Sequence, residues 1–296
     1  MKKSLKYFSL IIPFLLILGF TGVNNIAPYA IVQPPRINEP ISPIDLGLKS
    51  EPLNVKTSDG VELSGYWIKS GVDSTRGIII LIHGIGGCKE HALYLTKELS
   101  NKGIESIIFD GRAHGESGGA YCTYGFKEKK DISQIIDKIK KRNPKLPIGI
   151  WGNSLGGAIA IQTLEYDGRI DFGIIESTFT ELPQIVFDYK KRLLKGIGIR
   201  SLSDFALKKA GKIAEFDPEK IRPIESVKNI EQPVFMAHGG ADINISAKYG
   251  QALFDNLKSK DKMFTLIEGA GHFNIYEKGG IEYKNKIMNF IDRNLN

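Results

Sequence analysis

A serine in a glycine-rich turn is the first feature of this 296-residue sequence that could do chemistry. Residues 152–156 read Gly-Asn-Ser-Leu-Gly, with Ser154 at the centre and an apolar run before them. This spacing is typical of a nucleophile elbow, in which a serine lies on a sharp turn between a buried strand and a helix. The glycines let strand and helix pass closely, so we predict that a larger residue at Gly152 or Gly156 would not fit.

A serine hydroxyl is a weak nucleophile and needs a base within hydrogen-bond reach, which in turn needs an orienting carboxylate. His272 lies in a glycine-rich loop directly after the predicted strand Met263–Ile267, and Asp242 follows the predicted strand Val234–Ala237 in the same way. We therefore predict a catalytic triad in which Ser154 attacks, His272 moves the proton and Asp242 orients the imidazole.

Acyl transfer also requires hydrogen-bond donors for the negatively charged oxygen that forms on the substrate. The amide of Leu155 follows the nucleophile, and a second donor is expected from the loop after the buried strand Gly77–Ile82. Ile85 is the best-placed residue there, because its glycine neighbours allow the backbone to turn its amides inward. We predict that Ile85 and Leu155 form the oxyanion hole.

These residues need a scaffold that brings distant loops together, and the rest of the chain reads as alternating strands and helices. Leu53–Thr57 and Val61–Lys69 flank an Asp-Gly pair, which indicates an antiparallel hairpin. Gly77–Ile82 is an unbroken apolar run, as expected of a strand that is buried on both faces, and Ile104–Phe109 is predicted to be the next buried strand. The pattern predicts an α/β fold with a mostly parallel sheet covered by helices on both faces, and its ligand site at the carboxyl ends of the strands.

Five ordered motifs from about Leu53 to Phe290 share a family pattern: His83-Gly84-x-Gly86-Gly87, Asp110-x-Arg112-x-His114-Gly115-x-Ser117, Gly152-x-Ser154-x-Gly156-Gly157, His238-Gly239-x-x-Asp242 and Gly271-His272. Together they resemble the α/β-hydrolase superfamily, and within it the serine aminopeptidase-like and lysophospholipase-like branch. The chain order Ser, Asp, His agrees with that of the superfamily. The sequence departs from the family pattern at Ala113, where Gly is usual, and at residues 244–246, which replace an apolar residue and Pro.

The resemblance implies the α/β-hydrolase fold and a helical lid at about residues 180–230, because more than fifty residues separate two neighbouring strands there. This insertion carries both apolar and basic side chains. They are consistent with a lid that touches anionic lipid or admits acyl chains, and also with solvated helices that close a small pocket, since charge runs are usually solvated faces.

The N-terminal sequence predicts that the protein is exported or anchored to a membrane. Lys2, Lys3 and Lys6 precede an apolar stretch at residues 7–23, so we expect residues 1–24 to be a signal peptide or a membrane anchor. Residues 25–51 are rich in proline and predict an extended linker, and residues 52–296 form the hydrolase domain. The catalytic domain is then either secreted or anchored on the extracytoplasmic side of a membrane.

Net charge and motif content limit the partners and cofactors that we expect for this protein. The net charge of +7 is modest, and phosphate-loop, dinucleotide-binding and nucleic-acid motifs are absent from the sequence, so we expect no nucleic-acid partner. His83, His114 and His238 lack metal-ligand spacing and are expected to bond loop backbone, and we take His91 to be a surface residue. We expect no metal and no cofactor.

Cys88 and Cys122 are the only cysteines of the chain. Each follows a loop at the same edge of the predicted sheet, and export would permit a disulfide between them. A bonded pair and two free thiols both stay open at this point.

The sequence as a whole predicts a serine hydrolase that cleaves a small or lipid-like carboxylic ester through an acyl-enzyme. A serine peptidase or aminopeptidase with the same mechanism is the first alternative, because the chemistry does not depend on whether oxygen or nitrogen leaves. A non-catalytic binding protein on the same scaffold is the second. An intact set of motif loops argues against this last reading, since a site without chemistry has no need of a strained serine.

Overall fold

Strand β3, Gly77–Ile82, lies at the centre of the molecule, and all six of its residues are buried. Ile78, Ile80 and Ile82 pack into the core on one side of the sheet, and Ile79 and Leu81 pack into the core on the other side. Side chains alternate between the two faces of a strand. A strand that is apolar at every position therefore needs cover on both faces, and the fold supplies it.

The computed structural model describes residues 21–295, and within them eight strands form a single sheet. The strands are β1 Ser50–Lys56, β2 Glu62–Ile68, β3, β4 Ile104–Phe109, β5 Ile148–Asn153, β6 Phe172–Glu176, β7 Val234–Gly239 and β8 Lys262–Ile267. Their order is β1-β2-β4-β3-β5-β6-β7-β8. The β1–β2 and β2–β4 pairs are antiparallel and the other five pairs are parallel, which confirms the predicted hairpin and the mostly parallel sheet.

Helices cover both faces of this sheet. They are α1 Ala27–Val32, α2 Leu93–Ser100, α3 Glu128–Arg142, α4 Leu155–Tyr166, α5 Leu182–Leu193, α6 Arg200–Ala214, α7 Pro223–Ser226, α8 Ala247–Asn256 and α9 Ile275–Leu295. Buried side chains of α3 and α4 join the core on the Ile78 side, and those of α2 and α9 join the core on the Ile79 side. The chain thus has the α/β-hydrolase fold that the sequence predicts.

The predicted insertion between β6 and β7 is helical. It contains α5, α6 and α7, and α5 packs against α6. Leu182 and Ile185 of α5 and Ala206 and Leu207 of α6 are buried in the core on the Ile78 side. The insertion is therefore seated on the domain through apolar contacts.

The proline-rich segment differs from the extended linker that the sequence predicts. Residues 27–32 form α1, whose Ile31 and Val32 are buried in the core. Pro28 lies in the first turn of the helix, where a missing amide costs nothing, and the helix packs against α6. The proline content was misleading because one of these prolines begins a helix and apolar packing holds that helix in place.

Arg36 fastens the chain that follows α1 to the loop after β4. Its guanidinium donates hydrogen bonds to the carbonyl oxygens of His114, Gly115, Ser117 and Gly119, at 3.3 Å for His114, 3.0 Å for Gly115 and 2.7 Å for Gly119. This part of the segment is consequently tied to the body of the domain.

Most of the predicted signal peptide or membrane anchor, residues 1–20 of 1–24, lies outside the described residues. Among residues 21–295, no helix combines the length and the hydrophobicity needed to cross a bilayer.

Candidate active site

Three side chains from distant parts of the sequence form one chain of hydrogen bonds at the carboxyl edge of the sheet. Nε2 of His272 lies 3.0 Å from Oγ of Ser154, and Nδ1 of His272 lies 2.7 Å from Oδ2 of Asp242. A carboxylate only accepts hydrogen bonds, so Nδ1 carries the proton and Nε2 is free to accept the serine proton. The geometry is that of a nucleophile beside an oriented base.

Each of the three residues follows the end of a strand. Ser154 lies between β5 and α4, Asp242 follows β7, and His272 follows β8. Strands β5 to β8 are consecutive in the sheet and parallel, so their carboxyl ends meet at one edge. The structure thus brings together the three residues that the sequence predicts for a triad, and their catalytic roles remain a prediction.

The backbone of Ser154 adopts a conformation that few residues other than glycine tolerate. Its φ is 55° and its ψ is −121°. The amide of Ser154 donates to the carbonyl oxygen of Glu176 at 2.9 Å, and Oγ1 of Thr178 donates to the carbonyl oxygen of Ser154 at 2.7 Å. Strain of this kind persists only where surrounding contacts hold it, and it aims the hydroxyl out of the turn.

The close approach of strand and helix at the elbow explains its two glycines. A Cβ atom at Gly152 would lie 2.2 Å from the carbonyl oxygen of Gly156, and one at Gly156 would lie 2.2 Å from that of Ile82. Both neighbours are backbone atoms and have little room to move. The prediction that no larger residue fits at these positions is confirmed.

Asp242 is held by its own loop as well as by His272. Oδ1 accepts hydrogen bonds from the amides of Asn244 at 2.8 Å and Ile245 at 2.9 Å, and Nε2 of His238 lies 3.6 Å from Oδ2. Burial alone would raise the pKa of Asp242, but His238, His272 and the amide of Ile245 together hold this pKa well below its ordinary value. Asp242 therefore stays ionised beside the imidazole.

The contact of His238 with Asp242 is a feature that sequence reasoning missed. Nε2 of His238 donates to the carbonyl oxygen of Ile245 at 2.8 Å, so the histidine bonds loop backbone as predicted. The same bond fixes the residues whose amides hold Asp242. The only signal of this contact in the sequence is that Asp242 lies four positions after His238, across a glycine-rich turn.

Glu176 is a second contributor that the sequence did not reveal. Its carboxylate accepts hydrogen bonds from Nε1 of Trp151 at 3.0 Å and from the hydroxyl of Tyr283, which ties β6 to β5 and α9. Burial raises the pKa of Glu176, although these hydrogen bonds oppose the shift. Because its carbonyl oxygen also accepts the amide of Ser154, Glu176 links the elbow to the core behind it.

A cavity of about 340 Å³ adjoins Ser154 and also contacts Ile85 and Leu155, the residues predicted to form the oxyanion hole. Leu155 is the first residue of α4, so its amide has no acceptor within the helix. Most of the remaining wall comes from α5 and α1: Ile185, Val186, Tyr189, Lys190 and Leu193, with Ala27, Ala30 and Ile31. The space beside the serine is apolar and suits an acyl group.

The other histidines and the cysteines have structural surroundings. Nε2 of His83 accepts the amide of Gly111 at 2.9 Å, and Nδ1 of His114 bonds the carbonyl oxygen of Arg112 at 3.0 Å, so these histidines bond loop backbone as predicted; His91 is exposed. Within residues 21–295, no group of three or more His, Cys, Asp and Glu side chains is arranged to hold a metal ion. Cys88 and Cys122 are buried free thiols, so the structure does not contain the disulfide that the sequence left open.

Comparison with known proteins gives a consistent family. A family model described as serine aminopeptidase, S33, matches residues 73–225, which include the elbow and end before Asp242 and His272. The uncharacterized protein YqkD of Bacillus subtilis is 27% identical over 246 residues, covering 80% of this chain and 78% of that protein. The lysophosphatidylserine lipase ABHD12 of Macaca fascicularis is 33% identical over 122 residues, which are 39% of this chain and 30% of the lipase.

Solved structures agree on the fold. The esterase PF2001 of Pyrococcus furiosus superposes with a TM-score of 0.74 at 27% identity, covering 90% of this chain and 98% of the esterase. The acylaminoacyl peptidase of Pyrococcus horikoshii superposes with a TM-score of 0.67 at 17% identity, covering 83% of this chain and 42% of the peptidase. The second likeness concerns the fold alone.

Proposed function

Because the chain belongs to the serine aminopeptidase family, S33, of the α/β-hydrolases, we propose that it is a serine hydrolase that cleaves a carboxylic ester through an acyl-enzyme. The observation that carries the proposal is the hydrogen-bond chain from Ser154 through His272 to Asp242, at 3.0 and 2.7 Å. It supplies a nucleophile, a base and an orienting carboxylate in one line.

In the proposed reaction, Oγ of Ser154 forms a bond to the ester carbonyl carbon while its proton passes to Nε2 of His272. The amides of Ile85 and Leu155 stabilise the negative oxygen that results. The carbon–oxygen bond of the ester then breaks, and the leaving alcohol takes the proton from Nε2. A water molecule then gives a proton to the same nitrogen and attacks the carbonyl carbon of the acyl-enzyme. The bond from that carbon to Oγ of Ser154 breaks, the proton returns from Nε2 to Oγ, and the carboxylic acid leaves. The ionised Asp242 stabilises the imidazolium in both steps, and none of these steps calls for a cofactor.

An ester with an apolar acyl group is the favoured substrate. The cavity beside Ser154 is walled mainly by aliphatic and aromatic side chains, and the esterase of Pyrococcus furiosus is similar over nearly the whole of its length. Among the described residues that line this cavity there is no Asp or Glu, and Lys190 contributes a positive charge. An aminopeptidase must bind the free ammonium group of its substrate next to the scissile bond, and this wall offers it no counter-charge.

A lipid-like ester fits the same wall, and the similarity to a lysophosphatidylserine lipase supports it. A peptidase activity is the second candidate, because the matching family model is described as a serine aminopeptidase. Activity against short acyl esters, lysophospholipids and amino-acid anilides separates the two, and faster turnover of the anilides would overturn the ester proposal.

A fluorophosphonate probe tests the nucleophile. The wild-type chain is expected to be labelled and Ser154→Ala to stay unlabelled, because the probe forms a bond only to an activated hydroxyl. Ser177→Ala is a matched control, since Ser177 lies at the end of the neighbouring strand and also has a positive φ, 45°. Labelling of Ser154→Ala, or no labelling of a folded wild-type chain, would contradict the proposed chemistry.

We further propose an extracytoplasmic location, which the sequence of residues 1–24 supports through lysines followed by an apolar stretch. Fractionation of cells that express the full chain tests it. Recovery in the cytoplasmic fraction would overturn it.

A further inference from the structure

The end of α5, the start of α6 and the link between them present an apolar surface to solvent. All twelve residues from 191 to 202, here named the lid tip, are exposed. Five of them are large aliphatic side chains: Leu193, Leu194, Ile197, Ile199 and Leu202, with Leu193 exposed by 75% and Ile197 by 70%. Contiguous apolar exposure of this kind marks an interaction surface more often than an ordinary solvated loop.

The charge of the lid tip and its flank has a single sign. From residue 189 to residue 203 the sequence holds five basic residues and no Asp or Glu: Lys190, Lys191, Arg192, Lys195 and Arg200. Of these five, only Arg200 has an ion-pair partner within residues 21–295, which is Asp204. The partner of this surface must therefore offer apolar contact and negative charge together.

The lid tip borders the mouth of the cavity that adjoins Ser154. Leu193 and Lys190 line the cavity, and Nη1 of Arg192 donates to the carbonyl oxygen of Ile243 at 2.9 Å. Ile243 follows Asp242 directly and is itself exposed by 83%. Whatever contacts the lid tip thus lies next to the opening through which an acyl group would enter.

The described part of the chain begins on one of the helices that carry the lid tip. The first described residues form a π-helical turn, Gly22–Ile26, that contacts α6, and Nζ of Lys209 on α6 donates to Oδ1 of Asn24 at 2.8 Å. The described part of the chain therefore begins beside α6.

We propose that the lid tip docks on a phospholipid bilayer that contains anionic lipid. Its aliphatic side chains enter the boundary between headgroups and acyl chains, and its lysines contact the lipid phosphates. The cavity mouth then opens toward the bilayer surface. The surface stands apart from the proposed hydrolysis, because docking needs neither an active serine nor a particular substrate.

Tryptophan fluorescence tests this proposal on the full chain. The two native tryptophans, Trp67 and Trp151, are exposed by only 1% and 3%, so an added surface tryptophan reports its own surroundings. The variant Ile197→Trp is mixed with vesicles of phosphatidylglycerol and phosphatidylcholine with brominated acyl chains. We expect its emission to shift to the blue and to lose most of the added intensity by bromine quenching.

The matched control is Val72→Trp, because Val72 is also exposed and lies between β2 and β3, at the opposite edge of the sheet. Both variants carry the same N-terminal segment, so a difference between them measures the lid tip itself. Equal quenching at positions 72 and 197, or none at either, would overturn the proposal. An emission shift that grows with protein concentration without vesicles would assign the surface to a second copy of the chain and overturn it as well.

The charge requirement has its own test. Removing phosphatidylglycerol from the vesicles is expected to weaken the quenching of Ile197→Trp severalfold, and raising the salt concentration is expected to act in the same direction. Quenching that is equal in neutral and anionic vesicles would overturn the requirement for anionic lipid.

Discussion

The carboxylate of Asp242 has two tasks that depend on its charge. One oxygen accepts the amides of Asn244 and Ile245, and the other accepts Nδ1 of His272. The loop bonds would hold a neutral side chain nearly as well, whereas the bond to His272 specifies which imidazole nitrogen carries the proton. Replacing the charge while keeping the shape should separate the two tasks.

Asp242→Asn is expected to lower kcat/KM for a short acyl ester by about 10³- to 10⁴-fold. The side-chain amide can present its NH₂ group to Nδ1, which moves the imidazole proton to Nε2 and blocks proton transfer from Ser154. Circular dichroism should show an unchanged fold. Asp255→Asn, an exposed position on α8, should stay within about twofold of wild type, and a similar loss in both variants would contradict the assignment.

Among the helices, α1 and α5 determine the size of the cavity beside Ser154. Ala27 of α1 lines this cavity and Asn25 does not. Ala27→Phe should reduce the volume available to an acyl chain, so kcat/KM for long-chain esters should fall about tenfold or more while that for acetate esters changes little. Asn25→Phe adds the same bulk two residues away at an exposed position and should leave the ratio of long-chain to acetate activity unchanged.

Arg36 gives the segment after α1 its attachment, and its removal tests that attachment. Arg36→Gln should lower the free energy of unfolding by about 1–2 kcal/mol, because the carbonyl oxygens of Gly115 and Gly119 lose charged donors. Urea denaturation measures the change. Lys56→Gln removes a cation from an exposed pair at 3.8 Å and should change the value by less than about 0.5 kcal/mol. An Arg36→Gln effect as small as this control would contradict a fastening role.

The elements that the sequence predicted best are the central strands. The bounds of β3 and β4 agree with those predicted. For β3 the reason is that a strand covered on both faces can be apolar throughout, so its ends are sharp in the sequence. Strand β7 continues to Gly239, two residues beyond its predicted end. Helix α1 could not be predicted in this way, since its stability comes from contact with α6, more than 160 residues away in the chain.

The candidate site likewise combines features that the sequence predicted with features that it did not. Ser154, Asp242 and His272 each follow a predicted strand directly, so the topology alone brings them to one edge. The contacts of His238 with the Asp242 loop and of Glu176 with Trp151 and Tyr283 depend on which side chains meet after folding. Those contacts leave no periodic pattern in the sequence.

For the molecule as a whole, the buried His114 and the partly buried His83 make stability depend on pH. Burial is the main cause that lowers the pKa of His83, to about 4, and that of His114 in the same direction. An unfolded chain protonates both near pH 6.5, so it binds more protons than the folded chain below that pH. The free energy of unfolding should therefore be highest above about pH 6.5 and fall as the pH decreases toward about 4, by up to about 1.4 kcal/mol per pH unit for each histidine.

Urea midpoints at about pH 7 and about pH 5 measure this dependence. His114→Gln removes one of the two groups and should reduce the difference between the midpoints. His91→Gln, at an exposed position, should leave the difference unchanged. A wild-type midpoint that is the same at both pH values would contradict the prediction.

The two free thiols can report local opening of the folded domain. Cys88 and Cys122 are exposed by 0% and 1%, and burial is the main cause that raises the pKa of Cys88 to about 11 and places that of Cys122 well above its ordinary value. An alkylating reagent needs an accessible thiolate, so it reaches either sulfur only when the surrounding structure opens. The rate at which the folded chain is alkylated therefore reports how often that part of the domain unfolds locally, and the measurement needs no engineered label.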